Sequence, residues 1–421
     1  MMPDAQTRPE LSADIVNSQD GVFAAYGPWR LTSHFQPIFS LSHCRAIGHE
    51  GLLRTFDEDG FPISPGRVIS SARDFATLKF IDQLCRFLHV QNHELHGRPE
   101  GWLFLNVHPE VFRRGPEPDF GDFLPELSRE GGMDPHRIVI EVMEDAVADH
   151  DGFAQTVDLL RARGCLIALD DFGAGHSNFD RIWTMQPEIV KLDRSFAKKA
   201  SEESQARRLL PRIVSLIHEA GSLVLLEGVE TPQQALLAMD SDIDFVQGYY
   251  FAMPQADPVD TRRVSPAIDE LWDKCRTEQT ESMRRYRELV APYQAAITDA
   301  VDAMVNGTPM AGACAEFLRL SRAEHCYLLD DQGWQVGANL PAQHLAPRSA
   351  GSFHSLNSHA EGRWSRRPYF RRALDQVGKL QVSRPYLSIA SGQLCVTVSQ
   401  SFLLHGQVHV LCGDLSWPQV F

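Results

Sequence analysis

Six short apolar runs in this chain each end on a polar side chain, and that recurrence limits the fold more than any other feature of the sequence. WLFLN ends on Asn106, IVIEVMED carries Glu141 and Glu144, and LIALDD closes on Asp170 and Asp171. IVKLD carries Lys191, LVLLEGVE carries Glu227 and Glu230, and DFVQG carries Gln247. Between them lie stretches with helical apolar spacing, such as Phe153 to Arg163 and Arg207 to Ala220. Each is followed by a glycine, Gly164 or Gly221, where a helix end favours left-handed backbone. Strand and helix alternating in units of about 20 to 36 residues predict a parallel α/β fold, and the count suits a TIM-like (β/α)8 barrel. The carboxyl ends of barrel strands meet at one rim, so these separate polar residues become one expected site.

Ahead of the six runs, His34 to Leu41 reads as a first strand, broken by a turn at Ser42 to Arg45 and resumed at Ala46 to Arg54. The resumed piece places Glu50 among apolar neighbours. Residues 66 to 95 then show helical spacing. The length of 421 residues exceeds one core, and the pieces divide into a flexible tail (1–25), a barrel (26–260), a helical linker (261–306) and a smaller α+β domain (307–421). A net charge of −15 argues against a nucleic-acid polymer or a membrane surface as partner. No run of about 18 apolar residues predicts membrane insertion. The N-terminus lacks the basic and apolar regions of a signal peptide, and the eight cysteines are scattered without paired spacing, so a cytoplasmic location is expected.

In the linker, Met283, Tyr286, Val290, Tyr293, Ile297, Ala300 and Met304 form a narrow apolar seam, interrupted by Pro292. Pro292 predicts two helices or one kinked helix. The seam packs either on its own C-terminal domain or on the same seam of a second copy, which would give a homodimer. Beyond it, HCYLLDDQGWQVGANL reads as a hairpin, RWSRRPYFRRAL as a helix, and YLSI, QLCVTVSQSFLL and QVHVLCGDL as further strands.

The stretches FQPIF, GHEGLLR, WLFLNVHP, IVIEVMED, ALDDFGAGHSN, VKLDRSF, LEGVET and QGYYFAMP resemble, in order, the motifs of the EAL domain family of cyclic di-GMP phosphodiesterases. The resemblance implies a (β/α)8-like barrel with an irregular first strand. It also implies two Mg²⁺ or Mn²⁺ ions that support hydrolysis of cyclic di-GMP to linear pGpG. By motif, Glu50, Asn106, Glu141 and Asp170 match metal ligands, with Asp171 and Glu230 at the second ion. Glu227 matches the general base, Lys191 the amine that steadies the attacking water, and Gln247 a polar support. Arg54 matches the group that grips a substrate phosphate, with Gln36 and Leu53 beside it at the substrate. Glu144 matches the residue that orders the loop after Asp170 and Asp171. The C-terminal pieces resemble PAS-like and Cache-type sensor domains, in which Arg367, Tyr369, Tyr386 and Asp414 stand where a small-molecule ligand is held.

Elementary chemistry points the same way. Oxygen-rich ligands select hard octahedral cations, and Ca²⁺, larger and less demanding in geometry, is expected to inhibit. The sequence also departs from the family pattern. Gly51 replaces an alanine after Glu50, and glycine there adds backbone freedom that weakens metal affinity. His108 and Leu105 flank Asn106 unusually, Met143 stands before Glu144, and Ala174 follows Gly173. An alternative reading is therefore a weak or inactive receptor for cyclic di-GMP that signals through its C-terminal domain. Retention of the polar series favours the enzyme.

Overall fold

Uninterrupted apolar residues are what a strand needs when both of its faces are covered, and all six runs form strands of one closed barrel. The structure, a computed structural model, describes residues 15–18, 21–95, 100–114, 133–144, 151–175, 179–344, 362–388 and 391–418. The chain divides into two compact units, residues 1–277 and 278–421.

The first unit begins with β1 (Ile15–Ser18), β2 (Gly21–Tyr26), β3 (Trp29–Ser40), β4 (Arg45–Phe56) and β5 (Pro62–Ile63), followed by α1 (Pro65–Ile69) and α2 (Phe75–Leu95). It continues through β6 (Trp102–Asn106), α3 (Pro109–Arg113), β7 (Ile138–Met143), α4 (Asp151–Ala162), β8 (Leu166–Phe172) and α5 (Phe179–Met185). Then come β9 (Ile189–Leu192), α6 (Arg194–Glu202), α7 (Ser204–Glu219), β10 (Leu223–Leu226), α8 (Pro232–Asp240) and β11 (Phe245–Val246). Strands β4 and β6 to β11 pair in parallel in chain order, and β3 closes the ring between β11 and β4, making eight strands. Strand β3 runs antiparallel to both neighbours. The two pieces read as one interrupted strand are therefore the arms of a hairpin, paired from Arg30 opposite Phe56 to Ser40 opposite Arg45 with a one-residue register shift between Ile38 and Phe39.

Part of the expected flexible tail is ordered strand. β1 pairs with β2, and β2 with β3, because Val22 and Ala24 alternate inward against Leu31, Leu84 and Leu88. Asn92 on α2 fixes this edge by accepting from the Val22 amide at 2.8 Å and donating to its carbonyl at 2.9 Å. Residues 1–14 of that tail lie outside the described residues. Gly164 and Gly221 both adopt positive φ, +94° and +93°, at the ends of α4 and α7, as their positions require.

Two apolar layers sandwich the barrel wall. Outside, Ile140, Leu169, Val190 and Leu226 meet helix residues such as Val157, Leu160 and Val214. Inside, Ile38, Phe104, Val139, Ala168, Ile189, Leu225 and Phe245 fill the barrel, one from each of seven strands, with Gly48 at the equivalent level of β4.

Helix α9 (Pro266–Val305) gives Ile268 and Leu271 to the barrel core and Val290 onward to the core of the second unit. It is one helix through Pro292. That proline and Glu288, whose carbonyl loses its helical donor, both face solvent, where water can satisfy the carbonyl. The second unit continues with α10 (Met310–Ala313), α11 (Ala315–Arg319), β12 (Ala323–Asp330), β13 (Gln335–Pro341) and α12 (Pro368–Asp375). Strands β14 (Leu380–Val382), β15 (Tyr386–Leu387), β16 (Leu394–Leu404) and β17 (Gln407–Ser416) complete an antiparallel sheet. Its order is β13-β12-β17-β16-β14, with β15 also on β16. Strand β14 is too short and mixed to be read from sequence. The seam settles on this unit: Val290, Tyr293, Ile297, Ala300 and Met304 are buried with Phe317, Val396 and Leu411, while Met283 stays exposed. From Val290 onward the stripe is thus covered by its own domain, the first of the two readings of the seam. No described helix is long and apolar enough to cross a membrane, and all eight cysteines are free thiols.

Candidate active site

Side chains in a strand alternate between faces, so the residue two positions beyond an inward apolar residue also points inward. Applied to the inner layer, that rule gives Asn106 above Phe104, Glu141 above Val139, Asp170 above Ala168 and Lys191 above Ile189. It also gives Glu227 above Leu225, Gln247 above Phe245 and Glu50 above Gly48. On antiparallel β3 the step runs backwards, from Ile38 to Gln36, and Gln36 pairs with Glu50. Eight strands thus contribute a ring of eight polar side chains resting on one apolar floor.

The ring is tightly connected. Asn106 Nδ2 donates to Glu50 Oε1 at 3.0 Å and Gln247 Nε2 donates to Glu50 Oε2 at 2.7 Å. Lys191 Nζ lies 2.5 Å from Glu141 Oε1, 2.7 Å from Glu227 Oε1, 3.0 Å from Asp170 Oδ1 and 3.9 Å from Glu50 Oε2. Burial alone would push Lys191 down, but Asp170, Glu141, Glu227 and Glu50 together hold it well above the usual lysine range. Burial likewise favours a neutral Glu50, yet the charge of Lys191 and the bonds from Gln247 and Asn106 outweigh it and keep the carboxyl low. Glu141 is pushed well up, by burial and then by the Glu50 charge. Glu227 is pushed up to about 7, mainly by burial and further by Asp170 and Glu50.

Asp171 breaks the alternation. Its φ is +55°, left-handed for a non-glycine residue, and the β8–β9 register shifts between Leu169 and Phe172. The kink turns Asp171 to the same side as Asp170, so that oxygens of Asp170, Asp171 and Glu227 all lie within 4.8 Å of one another. Burial and the neighbouring Asp170 push Asp171 up. The following loop is tied down by Glu144, whose Oε2 accepts from the Gly173 amide at 3.3 Å and whose Oε1 lies 3.1 Å from Arg181 Nη1. The end of the GAGHSN segment, 176–178, lies outside the described residues.

These residues fit divalent cations. Glu141 Oε2 is buried without a hydrogen-bond donor, Glu141 Oε1 and Asp170 Oδ1 both face the Lys191 ammonium, and the four ring carboxylates and Asp171 share that one positive charge. Such a surplus of buried negative oxygen is stable when positive charge is supplied. The donors are oxygens throughout, which suits Mg²⁺ or Mn²⁺.

Other expected residues sit apart from the ring. Arg54, half-buried, follows Glu50 on the same face of β4, beyond Leu52, and donates to the Leu53 carbonyl at 3.0 Å. Leu53 points to the opposite face and packs with the Leu31 and Leu84 cluster, so its side chain does not reach a ligand above Glu50. Glu230 is exposed at the head of α8, where Gln234 holds its amide at 2.8 Å. His108 caps α3 by accepting from the Glu110 amide at 3.2 Å, the role its sequence position leaves open.

The expectation of a looser backbone at Gly51 is corrected. A methyl there would lie 2.8 Å from His89 Cγ and 2.9 Å from its Cβ, so the glycine makes room for a ring and is not free space. His89 is buried on α2, its Nδ1 2.8 Å from Ser33 Oγ, and burial drives its pKa down to about 3, leaving it neutral. Sequence reasoning missed His89 because nothing in the helical spacing pairs it with Gly51, although the Gly51 departure was itself a signal that something bulky lies behind Glu50.

Known proteins share this geometry and its motifs. The family profile described as EAL domain matches residues 29–254. The cyclic di-GMP phosphodiesterase RocR of Pseudomonas aeruginosa is 28% identical over 251 residues, covering 58% of this chain and 60% of RocR. An uncharacterised protein of Mycobacterium tuberculosis is 31% identical over 237 residues, covering 54% of this chain and 75% of that protein. The match takes in only 28% of the signaling protein YkoW of Bacillus subtilis and 28% of the oxygen sensor DosP of Escherichia coli. Among solved structures, the YkuI protein of Bacillus subtilis, which has an EAL domain, superposes with a TM-score of 0.76 at 22% identity, over 92% of this chain and 96% of that one.

Proposed function

The chain belongs to the EAL domain family, and from that premise we propose that its barrel hydrolyses one phosphodiester bond of cyclic di-GMP to give linear pGpG. The substrate is supported by relatives such as RocR, which carries the name cyclic di-GMP phosphodiesterase. The observation that carries the reading is the complete polar ring, with Glu227 held 2.7 Å from Lys191 beside the carboxylates of Glu141 and Asp170, which share the same ammonium.

Glu50, Asn106, Glu141, Asp170 and Asp171 would hold two divalent cations, with Glu230 brought in from the head of α8. When bound, these ions neutralise the phosphodiester and make water more acidic. Glu227, with a carboxyl near 7 and an oxygen facing the cluster, accepts the proton of the attacking water. The water oxygen adds to phosphorus, the ring phosphorus–oxygen bond opens, and the leaving oxygen takes a proton from solvent. Lys191 stays cationic throughout and orients the water between Glu227 and Asp170. Arg54, on the same face of β4, grips a phosphate oxygen of the substrate, and Gln36, opposite Glu50, lines the same face. Glu144 keeps the Asp171 loop in its turned conformation through Gly173.

We further infer that the second unit is a cytoplasmic sensory domain that adjusts this rate by holding a small molecule. Sedimentation equilibrium of the full chain tests the expected homodimer. Incubating the purified chain with cyclic di-GMP and Mg²⁺ or Mn²⁺, and following the appearance of pGpG, tests substrate and chemistry together. No pGpG with either ion would refute the enzymatic reading, and tight cyclic di-GMP binding in that same sample would select the receptor instead.

A further inference from the structure

Charge is unevenly spread along this chain. Residues 362–388, in the second unit, hold seven basic side chains and one acid, Asp375, although the net charge of the whole is −15. Six of the seven, Arg363, Arg366, Arg371, Arg372, Lys379 and Arg384, are exposed, and none of the six has an ion-pair partner among the described residues. Arg367 turns inward instead. Its guanidinium lies 5.3 Å from the Tyr386 ring centre, and with Tyr369 and Asp414 it lines an inner cavity of about 40 Å³.

Helix α12 forms the centre of the basic face. Tyr369, Phe370 and Ala373 are buried with Leu329 and Val410 of the sheet, which leaves Arg371 and Arg372 on the outer side. Arg371 Nε donates to the Ser365 carbonyl at 3.2 Å and so stays beside Arg366, and the Arg363 guanidinium lies 5.4 Å from the Trp334 ring centre. Folding does not call for this arrangement. The first turn of α12 has no acid, where one would be favourable, and Arg366 and Arg367 stand at that positive helix end. Arg367 and Arg371 are also like charges four residues apart, a spacing that repels. Negative charge brought from outside relieves both.

Apolar side chains border the cations. Trp334 is 45% exposed, and Val377, in the turn after α12, is 59% exposed. A basic face edged by a tryptophan and an aliphatic residue matches the boundary of an anionic bilayer, where cations meet headgroups and apolar groups enter the layer beneath. A nucleic acid would need open aromatic faces for its bases, and the guanidiniums of Arg363 and Arg367 already lie over Trp334 and Trp364. The overall charge, which argues against a membrane partner, is an average that this face does not share.

We propose that the outer face of α12 and its flanks docks on the surface of an anionic lipid bilayer. The test is sedimentation of the full chain with vesicles of phosphatidylcholine alone and of phosphatidylcholine mixed with phosphatidylglycerol. Six exposed cations at about fivefold each, offset by the acidic remainder, predict half-binding at about 0.1–1 mM of the mixed lipid at low salt, and none to phosphatidylcholine alone. Salt at about 0.5 M should weaken binding at least about tenfold. Arg366→Gln, Arg371→Gln and Arg372→Gln together should lower the partition about 100-fold and leave the melting temperature unchanged or higher. The same charge removed from exposed positions of α9, by Arg284→Gln, Arg285→Gln and Arg287→Gln, should change it less than about threefold. Lys379→Gln with Arg384→Gln, outside the helix, carries the test if the first variant does not fold. No binding to the mixed vesicles at low salt, or equal losses from the two arginine triples, would overturn the proposal. So would tight binding of a uridine oligonucleotide by a chain that ignores the vesicles, since the face would then serve a nucleic acid.

Discussion

Replacing Gly51 with alanine adds one methyl directly behind the carboxylate that anchors the ring, and its cost can be worked from the structure. The new Cβ would sit 2.8, 2.9 and 3.1 Å from three carbons of His89. Ordinary carbon contacts are about 3.5–4.0 Å, so helix or strand must retreat by roughly 0.7 Å. The ring cannot swing aside, because it is buried and joined to Ser33 at 2.8 Å, and α2 is pinned to β2 through Asn92. Overpacking of this kind costs about 1–3 kcal/mol. Gly51 has no left-handed backbone, so alanine also removes unfolded-chain freedom worth about 0.4–1 kcal/mol, leaving a net loss centred on about 1.3 kcal/mol and at most roughly 2.6 kcal/mol. At about 2–4 °C for each kcal/mol in a unit of this size, thermal melts resolve the effect. The displaced Glu50 should weaken the metal dependence of turnover in the same variant. The decisive measurement is the cycle with His89→Ala: without the ring the Gly51→Ala cost should shrink, giving a coupling of about 1–2 kcal/mol. A Gly51→Ala protein as stable and active as the parent, or the same cost with and without the His89 ring, would refute this account.

Glu227→Gln preserves shape but removes the basic oxygen, so kcat should fall about 10²- to 10⁴-fold while cyclic di-GMP affinity is largely kept; a parallel loss of affinity would make Glu227 a binding group. Exhaustive chelation should abolish pGpG formation, Mg²⁺ or Mn²⁺ should restore it, and Ca²⁺ should permit cyclic di-GMP binding without turnover. Full activity after chelation would contradict the cation site. In the second unit, burial raises Asp414 from 3.8 to about 7, with Glu324 on β12 adding to the rise and Arg367 on α12 opposing it. The folded state therefore holds a proton that the unfolded chain releases first. Stability from this group is full below about pH 4 and declines toward pH 7, by at most roughly 4 kcal/mol. Urea melts of the second unit across that range should show the decline, and Asp414→Asn should flatten it.

Much of the ring is legible in the amino-acid order itself, because runs such as LIALDD and IVKLD show apolar residues up to the step where polarity begins. The two-residue period then places Asp170 and Lys191 on the inner face. The same alternation separates Leu53, which packs with Leu31 and Leu84, from Arg54 on the Glu50 face. Other features are long-range and leave no local trace. The reversed direction of β3 depends on its pairing with both β11 and β4, and the ordering of β1 and β2 depends on Asn92, far along the chain on α2. The turned Asp171 reflects a register shift against β9, and the contact of His89 with Gly51 joins a helix to a strand. Pro292 left two helices or one kinked helix open, and the single helix that forms is packed from Val290 onward against the sheet of the second unit, a long-range contact that local sequence does not show.

One polar residue per strand, laid on an apolar floor, separates what holds the barrel up from what it does. The carboxylates of Glu141 and Asp170 are tolerated by the fold and not demanded by it: without added cations their oxygens are buried against a single ammonium. Neutralising one of them relieves repulsion without touching a packed side chain, so such a change should often make the barrel sturdier as it becomes inert. Mutational drift in a barrel of this kind therefore has a preferred direction, from catalyst toward silent reader of the same ligand.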